Sequence, residues 1–80
     1  LAAAQGYTNA QLYLGVGYSS GQGVIQDNVY AHMWFNVAAS NGNADAAFNR
    51  DIVAGKMTAA DISKAQDLAR ACVQKNFKGC

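Results

Sequence analysis

The feature that most constrains the fold is a self-similarity at an offset of 36 residues. Shifted by that amount, Ala2, Ala3, Gly6 and Ala10 fall on Ala38, Ala39, Gly42 and Ala46. Their neighbours are chemically alike: Leu1 meets Val37, Gln5 meets Asn41, and Leu12 meets Phe48. A period of this length is that of a two-helix unit in a helical solenoid, where each unit buries its apolar face on the next. The correspondence fades after Phe48, so the second unit is of a different kind.

Helical periodicity and capping residues locate four helices. Thr8 or Asn9 can cap a first helix reaching Ser20, with Ala10, Leu14 and Tyr18 on one face. Gly21 and Gly23 end it, and Val24 and Ile25 are expected to plug the gap between helices. Asp27 caps a second helix from Asn28 to Ser40, whose stripe is Ala31, Trp34, Phe35, Ala38 and Ala39. A third runs from Ala44 to Ala54, with Phe48, Ile52 and Val53 expected to point inward. Thr58 and Asp61 open a fourth, from Ala59 to Lys75, with Ile62, Ala65, Leu68, Ala69, Cys72 and Val73 on its apolar side.

Composition removes several function classes. The longest apolar run is four residues, too short for a membrane span. A formal charge of +1 gives no electrostatic case for nucleic acid. The charge is unevenly placed, however. Residues 1–49 have no Lys or Arg and two acids, whereas residues 50–80 hold all six basic residues and three acids. Of the 41 apolar residues, 16 are alanine, as expected for small-residue seams between helices.

The unit from Ala3 to Gly42 carries a specific pattern: Ala3-Ala4-Gln5-Gly6, Ala10-Gln11, Leu14-Gly15, Tyr18, Gly21, Gly23-Val24, Asp27, Ala31, Trp34, Ala38-Ala39 and Gly42. It resembles the Sel-one-like repeat (SLR), a relative of the tetratricopeptide repeat found in scaffold proteins. The resemblance implies an all-α fold, a right-handed α-α superhelix (solenoid) of antiparallel helix pairs, here of four helices. It divides the chain into the tail of a preceding repeat helix (1–6), an SLR helix pair (7–42) and a closing pair (43–80). The chain is thus expected to be the C-terminal piece of a longer protein. Arg50 and Asp51 depart from the pattern, standing where the first unit has Leu14 and Gly15. Asn49-Arg50-Asp51, Met57-Thr58 and Ala65-Gln66 resemble the helices that close SLR arrays.

Cys72 and Cys80 are the only cysteines. They are either two free thiols, one buried and one terminal, or a disulfide, which a turn at Gly79 permits. The disulfide is the expectation, since the same junction resembles that of cysteine-rich bacterial SLR proteins. In the chain-entropy model so small a loop contributes about 2.5 kcal/mol. A disulfide implies a periplasmic or secreted protein; free thiols would suit the cytoplasm.

Catalytic chemistry finds little support. His32 is the sole histidine and no Cys-x-x-Cys or His-x-x-x-His pair exists, so no metal site and no cofactor are expected. His32 adjoins the apolar stripe and reads as an exposed or half-buried structural residue. No motif joins the serines, the histidine and the aspartates, and Ser-x-x-Lys is absent. Arg50 and Asp51, with Asp45, read as a local ion pair pinning the closing region. The resemblance implies a non-enzymatic module that binds a protein or peptide on the inner curve of the first helices. Tyr13 lies off the core line of its helix, with Asn9, Val16, Gly17 and Ser20 along the same strip. Asn49 and Val53 would extend the strip one repeat on. Tyrosine supplies contact area at modest entropic cost and amides supply adaptable hydrogen bonds. An alternative, implied by cysteine-rich SLR proteins alone, is a weak cell-wall or β-lactam binder or hydrolase. Self-stacking through an open N-terminal edge is a further possibility.

Overall fold

In the computed structural model, residues 7–80 are described and form four helices: α1 (Thr8–Ser20), α2 (Asn28–Ser40), α3 (Ala44–Ala54) and α4 (Ala59–Gln74). The expected tail of a preceding repeat, residues 1–6, lies outside the described residues. The caps explain the boundaries. The Asp27 carboxylate accepts from the amides of Val29 and Tyr30, Asn43 from Ala46, and Thr58 from Asp61. Each satisfies an amide that the helix itself leaves without a partner. Helix α1 differs from the expectation: Tyr7 is its N-cap, and no side chain accepts a hydrogen bond there. Gly21 ends α1 in the left-handed region (φ 76°), where a side chain would be strained.

Helix α2 is the organising element. Ala31 to Phe35, Val37 and Ala38 are all buried, so the helix is covered on most of its circumference. Two clusters use different sides of it. Met33, Trp34 and Val37 pack with Ala69 and Cys72 of α4, joined by Ala10, Leu14 and Tyr18 of α1. Ala31, Phe35 and Ala38 pack with Ala46 and Val53 of α3, joined by Leu12, Ala39 and Met57. Each fully buried large side chain contributes about 1.5–3 kcal/mol of hydrophobic stabilisation. The closing region is therefore not a second hairpin like the first. Helices α3 and α4 each lie against α2 and have at most slight contact with one another.

Gly15 makes the α1–α2 pairing possible. A Cβ there would sit 2.6 Å from Phe35 Cδ1 and Cε1, so only glycine lets the ring lie against the α1 backbone. The intrinsic cost of a mid-helix glycine, about 1 kcal/mol relative to alanine, is smaller than the burial it allows.

Four apolar residues expected inside are exposed. Phe48 is 68% exposed and Ile52 48%, while Val53 alone of that trio is buried. In α3 the buried direction is set by Ala46 and Val53, which are seven residues apart, and Phe48 lies off that line. Ile25 is 90% exposed and plugs nothing; Val24 is half-buried in its place. Val73 is also exposed, at the outer margin of α4.

Cys72 and Cys80 form a disulfide, with Cα atoms 5.6 Å apart. The tail doubles back through Asn76 and Phe77, both left-handed (φ 53° and 65°), as well as through Gly79. The Phe77 amide donates to the Cys72 carbonyl at 2.8 Å, and the Phe77 ring packs on the α2–α4 cluster.

Candidate functional site

A groove of about 210 Å³ runs between α1 and α3. Val16 and Ser19 form the α1 wall, and Asn49, Ile52 and Lys56 the α3 wall. Phe35 and Val53 reach it from the core, and Asn28 of α2 also lines it. Under the 36-residue offset the two walls correspond, Val16 falling on Ile52.

The expected contact strip divides in this setting. Asn9 and Tyr13 stand outside the groove on the free face of α1, with Tyr13 71% exposed. Val16 and Asn49, on different helices, come together across the groove. Ser20 is exposed, but its hydroxyl donates to the Val16 carbonyl at 2.9 Å. Two members need correction. Val53 is only 5% exposed and belongs to the core, serving as groove floor. Gly17 faces its own connecting loop: a Cβ there would lie 3.2 Å from the Gln22 carbonyl oxygen, and the Gly17 carbonyl accepts from Gly21 and Gln22. Sequence reasoning missed Ser19, Asn28, Ile52 and Lys56. Lys56 follows Ile52 by one helical turn, which was the available signal.

Behind the groove lies a polar seam between α2 and α3. Arg50 pairs with Asp51 at 3.2 Å and donates to Asn36 Oδ1 at 3.3 Å, which ties α3 to α2. Asp45 takes no part in this pair. His32 is buried, against the expectation of an exposed or half-buried residue, and its Nδ1 has no hydrogen-bond partner. Its pKa lies below 6.5, chiefly through desolvation and then through the Arg50 charge, with Asp51 opposing. A neutral imidazole suits such a position. On the opposite side of α1, the buried Gln11 accepts from Asn41 Nδ2 at 3.0 Å, fastening α1 to the α2 C-terminus. Tyr18 and Tyr30 stack with ring centres 5.5 Å apart, closing the α1–α2 turn.

Among the described residues, no group of three or more His, Cys, Asp and Glu could hold a metal ion. No helix among them is long and apolar enough to cross a membrane. A second groove, about 330 Å³, lies between Asn36, Val37 and Ser40 of α2 and Ala69, Val73 and Gln74 of α4. Arg70 stands at its margin, paired with Asp67.

The four-helix arrangement closely matches a solved structure, that of c5321, a protective antigen present in uropathogenic Escherichia coli strains and displaying an SLR fold. The TM-score is 0.90, with 38% sequence identity over 95% of this chain. This chain has the SLR fold. It spans 16% of the length of c5321, so it corresponds to a small part of that longer SLR protein. No family model matches the sequence, and no curated protein does. The SLR assignment accounts for the α1–α2 hairpin, the glycine between them and the 36-residue offset.

Proposed function

We propose that this SLR segment is a non-enzymatic interaction module that binds a protein or peptide on the α1 face and the adjoining α1–α3 groove. The observation that carries this reading is the combination of a largely exposed Tyr13 with a cleft bearing Val16, Asn49 and Lys56. An aromatic anchor beside a partly apolar cleft is the usual makeup of an energetic hot spot. The amides of Asn9 and Asn49 add adaptable hydrogen bonds around it. The disulfide supports a periplasmic or secreted setting, because such bonds persist where the surroundings are oxidising.

Peptides selected from a random library on the immobilised chain provide the test. Tyr13→Ala is expected to weaken a selected peptide by at least about tenfold, with unchanged helicity by circular dichroism. Loss of helicity would make Tyr13 a structural residue. A peptide footprint on the α2–α4 groove, unaffected by Tyr13→Ala, would overturn the assignment.

A further inference from the structure

The exposed side of α3 has a partner implied by its own residues. Asp45, Phe48 and Ile52 succeed one another at spacings of three and four, with Lys56 one turn beyond, so they form a single stripe. All four are exposed. Asp45 and Lys56, at its two ends, have no ion-pair partner among the described residues. In the repeat register Phe48 corresponds to Leu12, and Leu12 packs on the cluster that joins α2 to α3. Phe48 thus continues the stacking surface of the repeat onto a side that nothing among the described residues covers.

We propose that this stripe is a self-association surface, on which α3 of a second copy lies antiparallel about a two-fold axis. The charge order decides for a second copy. With the axis near Arg50 and Asp51, Asp45 of each copy faces Lys56 of the other across the ends. Phe48 and Ile52 then interdigitate with Ile52 and Phe48 between them. A two-fold contact must be self-complementary, and a stripe running from acid through two apolar residues to base meets that condition only when antiparallel. Packed at a usual helix separation of about 8–10 Å, one helix face per copy buries less than the roughly 1,200 Å² of a standard stable interface. The dimer is accordingly transient, with a dissociation constant on the order of 100 μM. The stripe shares Ile52 and Lys56 with the α3 wall of the proposed peptide groove. Tyr13 lies off the stripe and Phe48 outside the groove, so Tyr13→Ala and Phe48→Asp test the two sites separately.

Sedimentation equilibrium of the 80-residue chain from about 10 μM to 1 mM tests the proposal on either side of that constant. The expected result is a monomer–dimer equilibrium that weakens as salt is raised. Phe48→Asp should weaken it at least about tenfold, with helicity unchanged because the side chain is mostly in water. Asp45→Lys or Lys56→Asp alone should weaken it about three- to fivefold, and the two together should restore it. Should Phe48→Asp fail to fold, this charge exchange remains a complete test. A chain monomeric at the highest concentration, a dimer indifferent to Phe48→Asp and the exchange, or open-ended polymerisation would each overturn the proposal.

Discussion

Helices α1 and α3 correspond under the 36-residue offset, yet they are used differently. Helix α1 presents Gly15 and receives the Phe35 ring on its backbone, forming a close hairpin with α2. Helix α3 presents Asp51 at the corresponding position, exposed and paired with Arg50. A carboxylate at that point cannot accept an apolar ring against the helix. Helix α4 accordingly finds its partner in α2, and the outer side of α3, with Phe48, stays open. The same repeat position thus holds a glycine against which a ring packs in α1 and an exposed, ion-paired carboxylate in α3.

The most severe way to break this contrast is to install the α3 residue in α1. Gly15→Asp would drive a charged group into Phe35 and should destabilise the fold by about 4 kcal/mol or more. Urea unfolding followed by Trp34 fluorescence measures this; a loss under 1 kcal/mol would refute the role given to Gly15. Next comes the C-terminal closure. Reducing the disulfide, or Cys80→Ser, should cost about 2–3 kcal/mol through the loop it closes. Thermal unfolding with and without a dithiol reads this directly, and an unchanged midpoint would show that Phe77 packing alone holds the tail.

A smaller effect tests the α2–α3 seam. The folded state holds the His32 pKa below 6.5, so above 6.5 its contribution is fully present. As pH falls below 6.5 the unfolded chain takes up the proton first, and stability declines by at most about 1.4 kcal/mol per pH unit. The decline stops below the folded-state pKa. His32→Asn should remove this slope, which denaturant midpoints at a series of pH values would reveal. The mildest change is the reverse swap, Asp51→Gly, expected to shift stability by about 0.5 kcal/mol or less because it alters an exposed pair and a small difference in helix propensity. Equal effects from Gly15→Asp and Asp51→Gly would abolish the distinction between the two helices.

Much of the fold is legible residue by residue. The α2 limits at Asn28 and Ser40 follow from Asp27 and the glycine beyond, and the α4 start follows from Thr58, whereas the Asn43 cap of α3 emerged only with the structure. Capping at Asp27 and Thr58 is local chemistry, so a single sequence suffices to read it. The site was legible only in part. Val16 and Asn49 do converge, with Val53 beneath them as a buried floor, but Gly17 turns to its own loop. Their rows on the helix were right; which neighbour each row meets depends on helices far away in sequence. Ile52 and Phe48 were assigned inward for the same reason, since apolar periodicity marks a stripe without saying whether anything covers it.

The sequence by itself determined four helices, the Asp27 and Thr58 caps, a repeat unit and the cysteine pair, because these rest on short-range hydrogen bonding and on spacing. Tertiary structure alone decided that α2 is shared by all three other helices, that His32 is buried without a partner for Nδ1, and that Phe48 faces water. Those outcomes depend on how close two backbones can come, and that distance is set jointly by residues such as Gly15 and Phe35, twenty positions apart.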